Sequence, residues 1–264
     1  MSVAVLLSPL MAQDGLAAVA ENAGTPIEQP EPAKRVADEP GRIFQKLMSG
    51  SEEERKEAKR ALRWDGAQFP KPFDGRLLLV NLDSDEEQEV ILILSASFLG
   101  TVALVFDHRE DGWWQVGSFG YSWHWNANQA ERFIELREIV SYGRKDILVR
   151  ITEGGTGIAE TTLSIYRLSK GRLYRAFRTM EDGYRYVYGS GITVSDKRTI
   201  EYPESDSDAR FLLVHHVSRT EPDEPSRSNP VREKKSCSVY RWEAREFTFK
   251  LDGGSGRKLC GGRD

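Results

Sequence analysis

Most features that would name a reaction are missing from this chain. There is no His-Glu-x-x-His, no Gly-x-Ser-x-Gly and no phosphate-cradling P-loop, which removes the usual signatures of zinc peptidases, serine hydrolases and nucleotide-binding loops. Histidine is sparse: of His108, His124, His215 and His216, the last two are neighbours that a strand would point to opposite faces, so they cannot share an ion. Lys and Arg number 37 against 41 Asp and Glu, a net charge of −4, without the basic excess that phosphate backbones reward. Nucleic acid is therefore not the expected partner. No stretch approaches the ~20 apolar residues of a membrane helix, so no membrane span is expected. Cysteine is limited to Cys237 and Cys260. Two thiols are too few for a metal centre, but in an exported protein the pair would form a disulfide tying down the C-terminal tail, whereas a reducing cytosol would keep it open.

What the chain does contain is ample apolar material, 39% of residues with six Trp, enough for one large β domain or two smaller ones. Residues 1–12, Met1-Ser-Val-Ala-Val-Leu-Leu-Ser-Pro-Leu-Met-Ala12, resemble the end of a secretory signal peptide, although no Lys or Arg precedes the run and Leu10 stands at −3 of a cut after Ala12. They predict a periplasmic or extracellular protein. Residues 13–38, punctuated by Pro26, Pro30 and Pro32, read as a flexible linker. Residues 39–65 predict a helical hairpin. Pro40 opens the first helix, with Ile43, Phe44, Leu47 and Met48 at helical spacing, and Ser51-Glu-Glu-Glu54 is a capping box for the second.

From residue 66 to 264 the pattern is β. Short runs of Val, Ile, Leu, Phe and Tyr are separated by Gly-containing turns and fall into three sets of four strands. These are 77–80, 90–94, 102–107 and 113–119; then 134–140, 146–152, 161–168 and 173–179; then 199–202, 211–217, 237–242 and 247–251. The period of roughly 60 residues predicts a mainly β fold of about three four-stranded antiparallel units. Gly154-Gly-Thr-Gly157 reads as a wide hairpin loop, and Arg219 to Lys235, with Pro222, Pro225 and Pro230, as a mobile surface loop.

One loop carries chemistry. In Asn81-Leu-Asp83-Ser-Asp85-Glu-Glu-Gln-Glu89, oxygen-bearing side chains fall at positions one, three, five and nine, just before the apolar strand Val90 to Leu94. A hard divalent cation needs such oxygens at close range; the alternative is an acidic, solvated turn. This loop and strand resemble the FG-GAP or VCBS-type repeat of integrin-alpha-like β-propellers, although Glu86 stands where the family has Gly. The resemblance implies blade-like units and a stabilising calcium ion held by Asn81, Asp83, Asp85 and Glu89. In the second set, Glu138 to Asp146 keeps Gly143 and the last acid but puts Val140 and Tyr142 at the middle ligand positions, so no ion is expected there. Three blades are fewer than the four from which closed propellers start, which leaves an open or stacked arrangement.

Two further features bear on function. Phe119, Tyr121, Trp123 and Trp125 alternate, so on a strand they would form one apolar face, either buried between units or exposed as a ledge binding carbohydrate or a partner protein. Glu153 and Glu160 are the carboxylates a hydrolase could pair, without a nucleophile or base motif to support them. The reading favoured is a non-catalytic, exported binding or scaffold module, with a hydrolase or a partner-binding inhibitor or assembly subunit as alternatives.

Overall fold

The computed structural model describes residues 33–62, 74–83, 85–96, 100–122, 133–187, 189–202, 210–224, 230–253 and 260. In chain order the elements are β1 (Lys34–Arg35), α1 (Pro40–Ser49), α2 (Glu52–Ala61), β2 (Asp74–Val80), β3 (Glu89–Ala96), β4 (Gly100–Arg109) and β5 (Gly112–Ser122). They continue with β6 (Ile134–Arg137), β7 (Asp146–Gly155), β8 (Ile158–Ser169), β9 (Arg172–Val187), β10 (Ile192–Glu201), β11 (Phe211–Pro222), β12 (Arg232–Glu243) and β13 (Thr248–Leu251). The fold is mainly β, as the period-two runs predict, and two helices precede the sheets.

The helices form where local signals ask for them. Pro40 starts α1, which buries Ile43 and Leu47. At α2 the capping box is complete: Glu54 N–H donates to Ser51 Oγ (3.3 Å) and Ser51 N–H donates to Glu54 Oε2 (2.6 Å), an arrangement worth about 1 kcal/mol. Both helices cover one face of the first sheet, ordered β1-β5-β4-β3-β2. Val90, Leu92 and Leu94 of β3 and Leu104 and Phe106 of β4 meet Ile43, Leu47, Ala58 and Leu62. Ile91, Ala103, Val105, Val116 and Phe119 point the other way, against Ile147, Val149, Leu168 and Leu173 of the second sheet and Phe133 just before it. Burial on both faces explains why β3 is apolar at consecutive positions instead of alternating.

The second sheet is an eight-stranded meander, β13-β12-β11-β10-β9-β8-β7-β6. Here the structure departs from the expectation of separate units: the protein has two open antiparallel sheets of five and eight strands, not a closed propeller. The seam is β9. It continues past Thr179, where the strand is expected to end, and its second half pairs with β10 from Asp182↔Lys197 to Val187↔Ile192. Gly189 and Gly191, both with positive φ, make the intervening turn. A third core of Leu163, Ile165, Phe177, Leu212, Val214 and Phe249 forms where this sheet curls, and Thr248 Oγ1 donates to the Ala176 carbonyl (3.1 Å), bringing β13 back onto β9.

Other expectations need correction. Lys34 and Arg35, in the stretch read as linker, pair with Gln115 and Trp114 respectively, and Val36 is buried against the helices. The segment from Arg219 to Lys235, read as a mobile loop, is strand through Pro222 and again from Arg232, because the Pro sits at a strand end where its missing N–H costs no ladder bond. The Gly154 to Gly157 loop is tight, with Gly155 opposite Ile158.

Contact between the sheets depends on Gly117 of β5, where an added Cβ would come within 2.6 Å of Leu173 Cδ2. Gly117→Val should therefore overpack the joint and cost about 1–3 kcal/mol in urea unfolding. Wild-type stability in this variant would mean that Leu173 can move aside freely.

Candidate metal centre

The loop between β2 and β3 is shaped by its own carboxylates. Asp85 N–H donates to Asp83 Oδ1 (3.0 Å) and Glu87 N–H to Asp85 Oδ1 (3.0 Å), the side-chain-to-backbone bonds that let Asp turn a chain. Glu89, the first residue of β3 and 1% exposed, closes the loop by accepting the Leu82 N–H on Oε2 (2.5 Å). Glu86 does not need the left-handed backbone that Gly supplies in the related motif, since Lys170 and Phe247 are the only non-glycine residues with positive φ among those described.

The β3–β4 register then adds a residue that the sequence reading missed. Val90 pairs with Phe106, so the next step sets Glu89 beside Asp107, which is 3% exposed. One ligand atom from each of Asp83, Asp85, Glu89 and Asp107 lies within 4.8 Å of the others, a cluster that could hold a metal ion. Asn81, the first of the expected ligands, heads the same loop and carries an amide where the four have carboxylates. Its Nδ2 donates to the Asp85 carbonyl (3.4 Å), and its Oδ1 is buried with no hydrogen bond among the described residues. Asp107 stands at the end of the apolar run Val102 to Phe106, and nothing local in the sequence ties it to Glu89; the β3–β4 register does.

The electrostatics of this cluster are unfavourable without a cation. Burial pushes the Glu89 carboxyl up to about 7, helped by the charges of Asp83, Asp85 and Asp107 and opposed by the Leu82 N–H. Burial also raises Asp107, against the pull of Arg109, whose Nε donates to Asp107 Oδ2 (2.9 Å). Arg109 Nη2 also donates to the Gly171 carbonyl (2.6 Å), tying the β4–β5 hairpin of the first sheet to the β8–β9 hairpin of the second. Between these hairpins and the loop is a cleft of about 670 Å³ lined by Asp83, Asp85, Glu87, Asp107, Lys170 and Gly171.

The second loop, Glu138 to Asp146, solves the same problem differently. Asp146, fully buried at the start of β7, accepts the Ile139 and Val140 N–H groups on Oδ2 (3.2 and 3.0 Å), as Glu89 accepts Leu82. Ile147 pairs with Tyr166, so its cross-strand neighbour is Arg167, whose Nη1 donates to Asp146 Oδ1 (3.1 Å) and whose Nη2 donates to Ser141 Oγ. A guanidinium here stands where the first loop has the Asp107 carboxylate. The two loops also touch, Lys145 N–H donating to the Asn81 carbonyl (3.0 Å).

The other expected sites fare variously. Cys237 and Cys260 are joined as a disulfide with Cα atoms 5.9 Å apart. Of the aromatic ledge, Phe119 is buried and packs on Tyr166 with ring centroids 4.6 Å apart. Tyr121 lies in β5, but its side chain, Trp123 and Trp125 fall outside the described residues. Glu153 and Glu160 face each other across the β7–β8 hairpin, and both are exposed. His215 and His216 do point apart, toward Glu201 (3.1 Å) and Asp196 (2.8 Å) respectively. A comparison with protein-family models finds none that matches the chain, and a comparison with curated proteins finds no match either.

Proposed function

We propose that this protein is a non-catalytic binding or scaffold module, built from FG-GAP-like units and working in the periplasm or outside the cell, whose first loop takes up one calcium ion as a stabilising element. The observation that carries the ion is the contrast between the two loops. In each, the last acid of the loop caps the loop backbone and is buried beside a cross-strand partner; that partner is Arg167 in the second loop and Asp107 in the first. Where the second loop sets one guanidinium against one buried carboxylate, the first gathers four carboxylates, of which Asp107 is hydrogen-bonded to Arg109. Calcium is the ion chosen because it takes six to eight oxygens in a flexible geometry that a loop can supply, whereas magnesium demands a near-ideal octahedron and keeps several waters. The Cys237–Cys260 disulfide supports a location outside the reducing cytosol.

Thermal unfolding in excess calcium, in excess magnesium and in chelator tests this reading. A ligand present at a hundred times its Kd adds about 2.7 kcal/mol, a rise of about 5–10 °C for a chain of this size. The rise should appear with calcium and vanish in the Asp83→Ala, Asp85→Ala double variant. Identical melting in calcium and chelator would overturn the ion site and reduce the loop to an acidic turn.

A further inference from the structure

The acidic site reaches the second sheet through two of its residues. At the head of the loop, the Asn81 carbonyl accepts the Lys145 N–H (3.0 Å) of the second loop. Across the β3–β4 ladder, Asp107 Oδ2 accepts from Arg109 Nε (2.9 Å), and the same guanidinium donates through Nη2 to the Gly171 carbonyl (2.6 Å) in the β8–β9 turn. Asp107 thus belongs both to the carboxylate cluster and to a strap between the sheets.

The far end of the strap has a shaped seat. Gly171 has a φ of +67°, and a Cβ there would stand 2.5 Å from Arg109 Nη2, so the guanidinium fills room that another residue would need for its side chain. Trp114 supports the guanidinium as well, its ring centroid 4.7 Å from Cζ, and is itself fixed by donating from Nε1 to Asp111 Oδ1 (2.8 Å). Leu173, two residues beyond Gly171, is the side chain on which Gly117 packs, so the strap ends at the contact between the sheets. The cleft of about 670 Å³ opens along it, lined by Asp83, Asp85 and Asp107 from the first sheet and by Lys170 and Gly171 from the second.

We propose, on the reading that the first loop takes up calcium, that Arg109 couples the ion site to the joint between the sheets, so that calcium uptake tightens the hold of Asp107 on the β8–β9 turn. Arg109 bonds Asp107 Oδ2, which leaves Oδ1 to face the ion. Gathered around a cation, the four carboxylates hold Asp107 in one position, and Arg109 with it; left to repel one another, they do not. The planar fork of an arginine transmits that order because it grips the carboxylate and the carbonyl together. Coupling of this kind is reciprocal: the factor by which calcium strengthens the strap is the factor by which the strap strengthens calcium binding.

The test compares the full-length protein with Arg109→Lys, which keeps a positive charge beside Asp107 but has no fork to reach Gly171 as well. Calcium affinity is read by titration calorimetry, and hydrogen exchange at residues 170–173 is followed in calcium and in chelator. In wild type, calcium should slow that exchange about fivefold or more. In Arg109→Lys the slowing should disappear and calcium should bind about fivefold or more weakly, while saturating calcium still raises the melting temperature. Gly171→Ala, which crowds the guanidinium off its carbonyl and leaves every carboxylate in place, should give the same two losses, so a folding defect in one variant does not decide the matter. Equal calcium affinity in all three proteins, or exchange at 170–173 that calcium leaves unchanged while melting rises, would overturn the coupling and leave the ion site standing. A wild type that responds to calcium in neither melting nor calorimetry would overturn both.

Discussion

Arg167→Met should destabilise the protein by about 3–5 kcal/mol, because it strands a fully buried carboxylate without its counter-charge. The methionine keeps most of the volume packed near Trp242, whose ring lies 5.9 Å from the guanidinium carbon, so the loss reports charge more than packing. Two companion measurements isolate the cause. Adding Asp146→Asn removes the charge while keeping an oxygen to accept the Ile139 and Val140 N–H groups, and most of the stability should return. Lowering the pH should also narrow the gap between Arg167→Met and wild type, since burial already raises Asp146 and a proton would neutralise it. If urea unfolding shows a loss below about 1 kcal/mol, the pair contributes little and the second loop is held by its backbone bonds.

The first loop should respond to charge removal in the opposite direction. In chelator, Glu89→Gln is expected to stabilise the protein at pH 8 and to leave it nearly unchanged at pH 4. The folded value of Glu89 is about 7, against an ordinary 4.5. Between these values the folded chain keeps a proton that the unfolded chain releases, so stability falls as pH rises through that window and levels off above it. The full difference corresponds to about 3 kcal/mol. Glutamine has no charge to desolvate and still accepts the Leu82 N–H. In calcium the order should invert, because the variant gives up a ligand oxygen charge. Equal stability of the two proteins at pH 8 in chelator would mean that neither burial nor the neighbouring carboxylates penalise the Glu89 charge.

How far the sequence reaches can be judged residue by residue. Strand positions were legible because the signal is local: Val90 to Leu94 and Ile147 to Val149 are apolar runs bounded by turn residues, and Ser51 with Glu54 marks a helix start. The Cys237–Cys260 pair followed from arithmetic once export was assumed. Assembly was not legible. Nothing in Asp182 to Val187 shows that β9 will carry on into a partnership with β10, because an alternating Tyr184 and Tyr186 fits a new strand as well as a longer one. Tyr184 is 45% exposed, so burial does not mark the continuation either. Lys34 and Arg35 were hidden by the prolines before them, since two-residue pairing with β5 leaves no periodicity to detect. In the site, Asp83, Asp85 and Glu89 were visible as a spaced motif, whereas Asp107 is brought in by strand register, which depends on which edges meet and not on sequence distance.

The order of strands has a kinetic meaning. Among the described residues, every strand in both sheets pairs with a neighbour along the chain, with the single exception of β1 against β5. Ladders of that kind close short loops one after another, so the entropy lost in each step is small and the search is fast for an all-β chain. The exception joins Lys34 to Gln115 across the entire first unit. That ladder cannot form until β5 is in place, so the N-terminal strand joins the first sheet only after the β4–β5 hairpin has closed.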